Sequence, residues 1–256
     1  MTGSESSPSF TVAFVPGVTP TKWARIWEER LPDVPLHLAP VTGAEAPGLL
    51  RDGGADAGFV RLPVDREYFS AIPLYTEKTV VVVPKDHLVT AADEVTTGDL
   101  AEDILLHPLD DVLGWEDLPG LAARERPATT ADAVELVAAG VGLLVVPQSL
   151  ARLHHRRDLT YRTVTDAPTS QVALAWPQER TTDGVEDFIG IVRGRTVNST
   201  RGRKAPEAQP KQKRPDKPAP RRKPTAGRAG GRSARGGGGG RGAQGGSSRR
   251  GKPRRP

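Results

Sequence analysis

Residues 137–147 read VAAGVGLLVVP, a run that begins like a helix, breaks at Gly140 and Gly142, and enters an apolar stretch closed by Pro147. Upstream, Val134, Val137 and Ala138 share one face at helical spacing, so a helix is predicted over Thr130 to Ala139. Gly140 would end it in the left-handed conformation, and Gly142 would let backbone and helix pack closely. LLVVP then reads as a strand and QSLARL as a further short helix. A strand that hands over directly to a helix puts backbone groups at its C-terminal end, the edge where open α/β sheets hold ligands.

The same alternation extends to both sides. FTVAFV (10–15) is strand-like, and Thr19-Pro20-Thr21 signals a helix start with the Thr19 hydroxyl as cap. Trp23, Ile26, Trp27 and Leu31 follow at helical spacing until Pro32, and VPLHLAPV (34–41) alternates as a strand does. This β-α-β unit predicts parallel pairing. A second unit has a helix over 44–52, with Pro47 tolerated only in its first turn, then Gly53-Gly54 and the strand ADAGFVR (55–61). KTVVVVP (78–84) is continuous rather than alternating, as expected of a strand covered on both faces. A short helix near 97–101, the strand DILLH and the irregular PLDDVLGWEDLPG (108–120) come next. LTYRTV and QVALAW supply strands, and Val185 to Val192 the last helix. The class is α/β.

Charge divides the 256 residues into two polymers. Residues 1–192 hold 15 Lys+Arg against 29 Asp+Glu, a formal −14; residues 193–256 hold 21 against 2, a formal +19. The basic segment also carries 14 of the 28 glycines and no aromatic, Ile, Leu or Met residue. It has too little apolar surface to offset the entropy of ordering, so 194–256 is expected to be disordered, as are residues 1–8. Arg and Lys spread along such a chain favour phosphate polymers without sequence selectivity. The acidic domain itself, or no specific partner, are the competing readings of this tail.

With no cysteine there is no disulfide or thiolate metal site. MTGSESSPSF has neither the basic nor the apolar part of a secretory signal, and no run approaches the length of a membrane span. A cytoplasmic protein is expected. G-x-S-x-G and H-E-x-x-H are absent, and GGGGGRG lacks the G-K-[ST] ending of a phosphate loop. Neither enzyme nor cofactor is expected. Asp110, Asp111, Glu116 and Asp117 lack the glycine spacing of a calcium loop, so no metal is expected either.

The segment AVELVAAGVGLLVVPQSLAR (133–152) resembles part of the effector-binding domain of LysR-type transcriptional regulators. WEERLPDVPLHL (27–38), LLRDGGADAGFVR (49–61), KTVVVVPKDHLV (78–89) and GDLAEDILLHP (98–108) resemble other parts of that domain, in the family's order. The resemblance covers about residues 10–192. It implies two Rossmann-like lobes joined by two crossing strands, as in type 2 periplasmic binding proteins. The lobes are expected at about 9–84 with 177–193, and at about 85–176. A small effector, often an organic acid, would sit between them, and closure would shift a homodimer interface or another partner contact. The family's winged helix-turn-helix has no counterpart in the few residues before the first strand, so this chain is expected not to read an operator itself.

Ten residues are candidate ligand contacts. Gly17, Thr19 and Thr21 lie where the first strand meets the first helix, whose N-terminal amides suit a carboxylate; a plain helix cap is the alternative. Thr129 and Thr130 begin the helix before Gly140 and carry the same pair of readings. The resemblance implies effector contacts at Thr42 and Gly43, which otherwise make a turn. Arg61 would pair with an acidic ligand, or with Asp56 or Asp65. His107 and Trp115 flank the irregular loop, where the family often places an aromatic over the effector; ordinary packing is the alternative.

Overall fold

The computed structural model describes residues 9–195. The disorder expected of 1–8 and of almost all of 194–256, and the partners expected of that basic segment, lie outside the described residues. Among the described residues, no helix is long and apolar enough to cross a membrane.

The first sheet comprises β1 (Phe10–Phe14), β2 (Leu36–Pro40), β3 (Ala57–Arg61), β4 (Phe69–Glu77) and β11 (Ser170–Pro177), in the order β2-β1-β3-β11-β4. Helix α1 (Thr21–Arg30) connects β1 to β2, and α2 (Ala46–Arg51) connects β2 to β3. Both β2 and β3 run parallel to β1, as the β-α-β reading requires. Pro47 occupies the first turn of α2, where its missing N–H costs nothing. The core of this lobe is aromatic. Phe10 stacks on Trp27 at 4.6 Å, Trp23 stacks on Phe59 at 4.6 Å, and Phe188 of α5 (Asp183–Val192) touches Phe10, Trp27 and Phe59. The Trp27 indole also donates to the Val34 carbonyl at 2.9 Å, so its polar edge is satisfied inside the core.

The second sheet comprises β5 (Thr79–Pro84), β6 (Glu94–Val95), β7 (Ile104–Leu106), β8 (Leu121–Ala122), β9 (Leu143–Pro147) and β10 (Leu159–Val164), in the order β6-β10-β5-β9-β7-β8. The continuous run of β5 has its predicted cause. Val80 and Val82 join one core, with Leu144, Val146 and Val137 of α3 (Thr130–Ala138); Val81 and Val83 join another, with Leu143, Val145 and Leu105. Both faces of the strand are buried, so no polar residue alternates.

Gly140 has φ +73° and follows α3 in the left-handed conformation. Gly142 is needed for a different contact from the one expected. A Cβ there would lie 2.6 Å from the Ile104 carbonyl oxygen, so the close approach is to strand β7 rather than to a helix. At Pro147 the chain enters α4 (Gln148–Leu153) without a loop.

The lobe boundaries differ from those expected. β5, assigned to the first lobe, is central in the second sheet, and β11, assigned mostly to the second lobe, pairs with β3 and β4 in the first. The chain crosses at Lys78 and again over 165–169. The displacement follows from β4, which carries Pro73 and showed no strand signal. Proline is tolerated there because β4 is an edge strand, paired only to β11, with a register shift beside Pro73.

A buried ion pair sits at these crossings. Arg61 Nε donates to Glu77 Oε2 at 2.9 Å, with side-chain exposures of 8% and 4%. The Ser170 hydroxyl donates to the same oxygen at 2.9 Å, and Arg61 Nη2 donates to Ser149 Oγ of α4 at 3.2 Å. β3, both crossings and the second lobe thus meet around one carboxylate.

Two stability measurements follow. Gly142→Ala should lower the urea-unfolding free energy by about 1–3 kcal/mol, because the obstacle is a strand carbonyl rather than a movable side chain. Glu77→Ala strands a buried guanidinium and should cost about 3–5 kcal/mol, whereas joint replacement of Arg61 by Met and Glu77 by Leu should cost less than Glu77→Ala alone.

Candidate functional site between the lobes

A cavity of about 740 Å³ lies where the C-terminal ends of β1 and β2 face α4. Its first-lobe wall is the turn after β1 (Pro16, Gly17, Val18, Thr19) with Phe14, and the turn after β2 (Pro40, Val41, Thr42) with Glu45. Ser149, Arg152 and Leu153 of α4 supply the second-lobe wall; their spacing of three and four residues sets them on one helix face. Apolar side chains dominate, with a few polar groups among them, the composition of a small-molecule site.

The turn after β1 is shaped by close packing. Gly17 has φ +85°, and a Cβ on it would come within 2.5 Å of Ser149 Oγ and 3.1 Å of Arg61 Nη2. Only glycine satisfies both the backbone and the space. Thr19 is exposed on the cavity wall but does not cap α1: the cap residue is Pro20, with no side-chain hydrogen bond, and its carbonyl accepts from Trp23 N at 2.9 Å and Ala24 N at 3.0 Å.

The turn after β2 closes on itself. Thr42 N donates to Glu45 Oε2 at 3.3 Å and Glu45 N donates back to Thr42 Oγ1 at 3.2 Å, the reciprocal bonds of a T-x-x-E box, here in the turn that leads into α2, whose own cap residue is Glu45; the Thr42 hydroxyl adds a third bond to Glu45 Oε2 at 2.7 Å. The Thr42 hydroxyl and then its amide (3.3 Å) hold the Glu45 carboxyl below the usual carboxylate range. Glu45 Oε1 accepts no hydrogen bond from the described residues. Across the cavity, Arg152 is exposed, and its one hydrogen bond among the described residues is a long one, 3.4 Å from Nε to the Tyr161 hydroxyl.

The candidates named from sequence therefore fall in different places. Gly17, Thr19 and Thr42 line the cavity. Arg61 lies behind Gly17, and its carboxylate partner is Glu77, not Asp56 or Asp65: Asp56 accepts from Thr11 N at 2.7 Å, and Asp65 pairs with Arg51 at 3.1 Å. Thr21 and Gly43 are exposed and not part of the lining. Thr129 caps α3 in a box with Asp132, and the buried Thr130 donates to Asp110 Oδ1 at 2.9 Å. His107 Nε2 stands 3.6 Å from Asp111 Oδ2, and Trp115 packs on the core that holds Val81 and Val83; neither lines the cavity. Sequence reasoning passed over Glu45 and the α4 face. The T-x-x-E pattern was a usable signal for the first, and the position of QSLARL directly after β9 for the second.

Comparison with known proteins agrees with this architecture. The LysR substrate binding domain profile matches residues 4–196. A probable hydrogen peroxide-inducible genes activator of Mycobacterium avium is 32% identical over 145 residues, 53% of this chain and 46% of that protein. The Hca operon transcriptional activator HcaR of Escherichia coli K12 is 24% identical over 204 residues, 75% of this chain and 67% of that one. The chain spans about half the length of the mycobacterial relatives it matches. Among solved structures, the BenM effector binding domain with its effector benzoate superposes with a TM-score of 0.61 at 19% identity, over 73% of this chain and 91% of that one. The reduced regulatory domain of OxyR from Pseudomonas aeruginosa gives 0.57 at 22% identity, over 73% and 95%. With two sheets joined by two crossing segments and a profile match over most of its length, the chain belongs to the LysR substrate-binding domain family.

Proposed function

We propose that this domain is a non-catalytic sensor that binds a small organic anion in the cavity between its lobes, and that lobe closure on the ligand is the signal read by a second copy or another cytoplasmic partner. The observation that carries this reading is the cavity itself, with apolar walls and a guanidinium end on Arg152 that has no partner among the described residues. A carboxylate with an apolar body is complementary to that combination, because the guanidinium gives charge-assisted hydrogen bonds and the walls take up the carbon skeleton. That the BenM domain is described with benzoate as its effector supports the ligand class. Residues 1–256 contain no cysteine, so thiol redox chemistry has no residue to act on within them.

A second reading concerns residues 193–256, where 21 Lys+Arg stand against 2 acids. This segment would hold nucleic acid loosely through phosphates, independently of the cavity.

Titration calorimetry and thermal melting against small carboxylates test the first reading. At least one should raise the melting temperature, and Arg152→Ala should weaken its binding by about tenfold or more, the loss of one charge-assisted contact. If no carboxylate produces heat or a shift, the sensor reading fails. For the second reading, deletion of 194–256 should abolish salt-sensitive binding to nucleic acid and leave carboxylate binding unchanged; a full chain that ignores nucleic acid at low salt removes it.

A further inference from the structure

The cavity is lined by two charges of opposite sign on opposite lobes. Arg152, on α4, has the guanidinium end described above. Glu45, at the start of α2, presents an Oε1 that accepts from none of the described residues, while Oε2 is held by Thr42. The Thr42 hydrogen bonds hold this carboxylate in the turn and favour its ionised form. A ligand carboxylate has one cationic partner here, and the rest of its skeleton meets Phe14, Val18, Val41 and Leu153. A second anionic group directed at the first lobe would face Glu45, whereas a hydrogen-bond donor or ammonium would meet an acceptor with a free lone pair.

We infer that Glu45 determines the charge class of the ligand: the cavity selects a molecule with one carboxylate for Arg152 and a donor or ammonium group for Glu45, and rejects dicarboxylates. This rests on the sensor reading above and narrows it. Neither charge has an ion-pair partner among the described residues, and a dipolar ligand supplies one to each. Closing the lobes around it removes the two ion pairs from water together, which strengthens each of them.

Three probes with the same four-carbon chain isolate the effect: 4-aminobutyrate, butyrate and succinate, titrated at neutral pH into the full chain and followed by calorimetry or by chemical-shift changes. The expected order is 4-aminobutyrate tightest and succinate weakest, with a gap on the order of tenfold or more. Glu45→Gln keeps the T-x-x-Q form of the capping box and so keeps the turn. It should narrow that gap by about tenfold, and Glu45→Lys should reverse the order. Arg152→Ala should weaken all three probes. Equal affinities in the natural chain, or an unchanged order in Glu45→Gln, overturn the inference and leave the sensor reading intact. A uniform gain for all three probes in Glu45→Gln also overturns it, because it would mean that Glu45 closes on Arg152 directly. If none of the three binds, but another carboxylate does so through Arg152, the inference fails alone; if no carboxylate binds at all, both fail.

Discussion

The meeting of Arg61, Glu77, Ser170 and Ser149 is the constraint on which the rest of this structure depends. One carboxylate oxygen, Glu77 Oε2, receives the guanidinium from the end of β3 and the hydroxyl at the start of β11, while Glu77 itself ends β4. Taking such a pair out of water costs about as much as its attraction returns, so it adds little stability over an apolar filling; losing half of it is costly. Its contribution is positional. It sets where the first sheet stops and the crossings begin, and the remaining arm of Arg61 ties that point to α4 of the second lobe. The junction is completed by backbone bonds, with Gln148 N donating to the Lys78 carbonyl at 2.8 Å.

The cavity inherits its shape from this junction. The space beyond Gly17 is filled by Arg61 and Ser149, so the turn after β1 has to pass without a side chain and with a positive φ. That turn exposes Thr19 to the cavity, while the Thr42–Glu45 box fixes the neighbouring turn. Both turns belong to the first lobe and are held by local chemistry, whereas α4 is positioned by β9 and by the junction. A change in the angle between lobes would move Arg152 and Leu153 relative to two turns that keep their own geometry.

Much of the fold was legible because it rests on period and punctuation. The double burial of β5 wrote itself as four consecutive valines, and the helix stop at Gly140 as a glycine with φ +73°. β4 was not legible, because FSAIPLYTE contains a proline that only an edge position excuses, and edge position is a property of the whole sheet. That omission displaced both lobe boundaries. It also hid Glu77, so Arg61 was offered the wrong carboxylates, Asp56 and Asp65, from its own neighbourhood in sequence. The site divides in the same way. Gly17, Thr19 and Thr42 sit at strand ends that local pattern locates. Glu45 and Arg152 share a cavity only because two separately folded lobes face each other, and no window of sequence contains both.

Two threonine–acid pairs show how little residue type settles at this scale. Thr42 and Thr129 are each engaged by an acidic residue three positions on, in nearly the same reciprocal geometry. One of these boxes lines the cavity and the other does not. The difference lies in what stands opposite. Across from Thr42 and Glu45 there is a second-lobe helix whose Arg152 guanidinium has no ion-pair partner among the described residues, so the Glu45 carboxylate becomes part of a charged wall. The box at Thr129 is instead accompanied by Thr130, whose hydroxyl is turned inward and spent on Asp110. A motif that stabilises a helix start becomes available to a ligand only when the tertiary fold leaves an open volume in front of it, and here the junction around Glu77 sets where that volume can be.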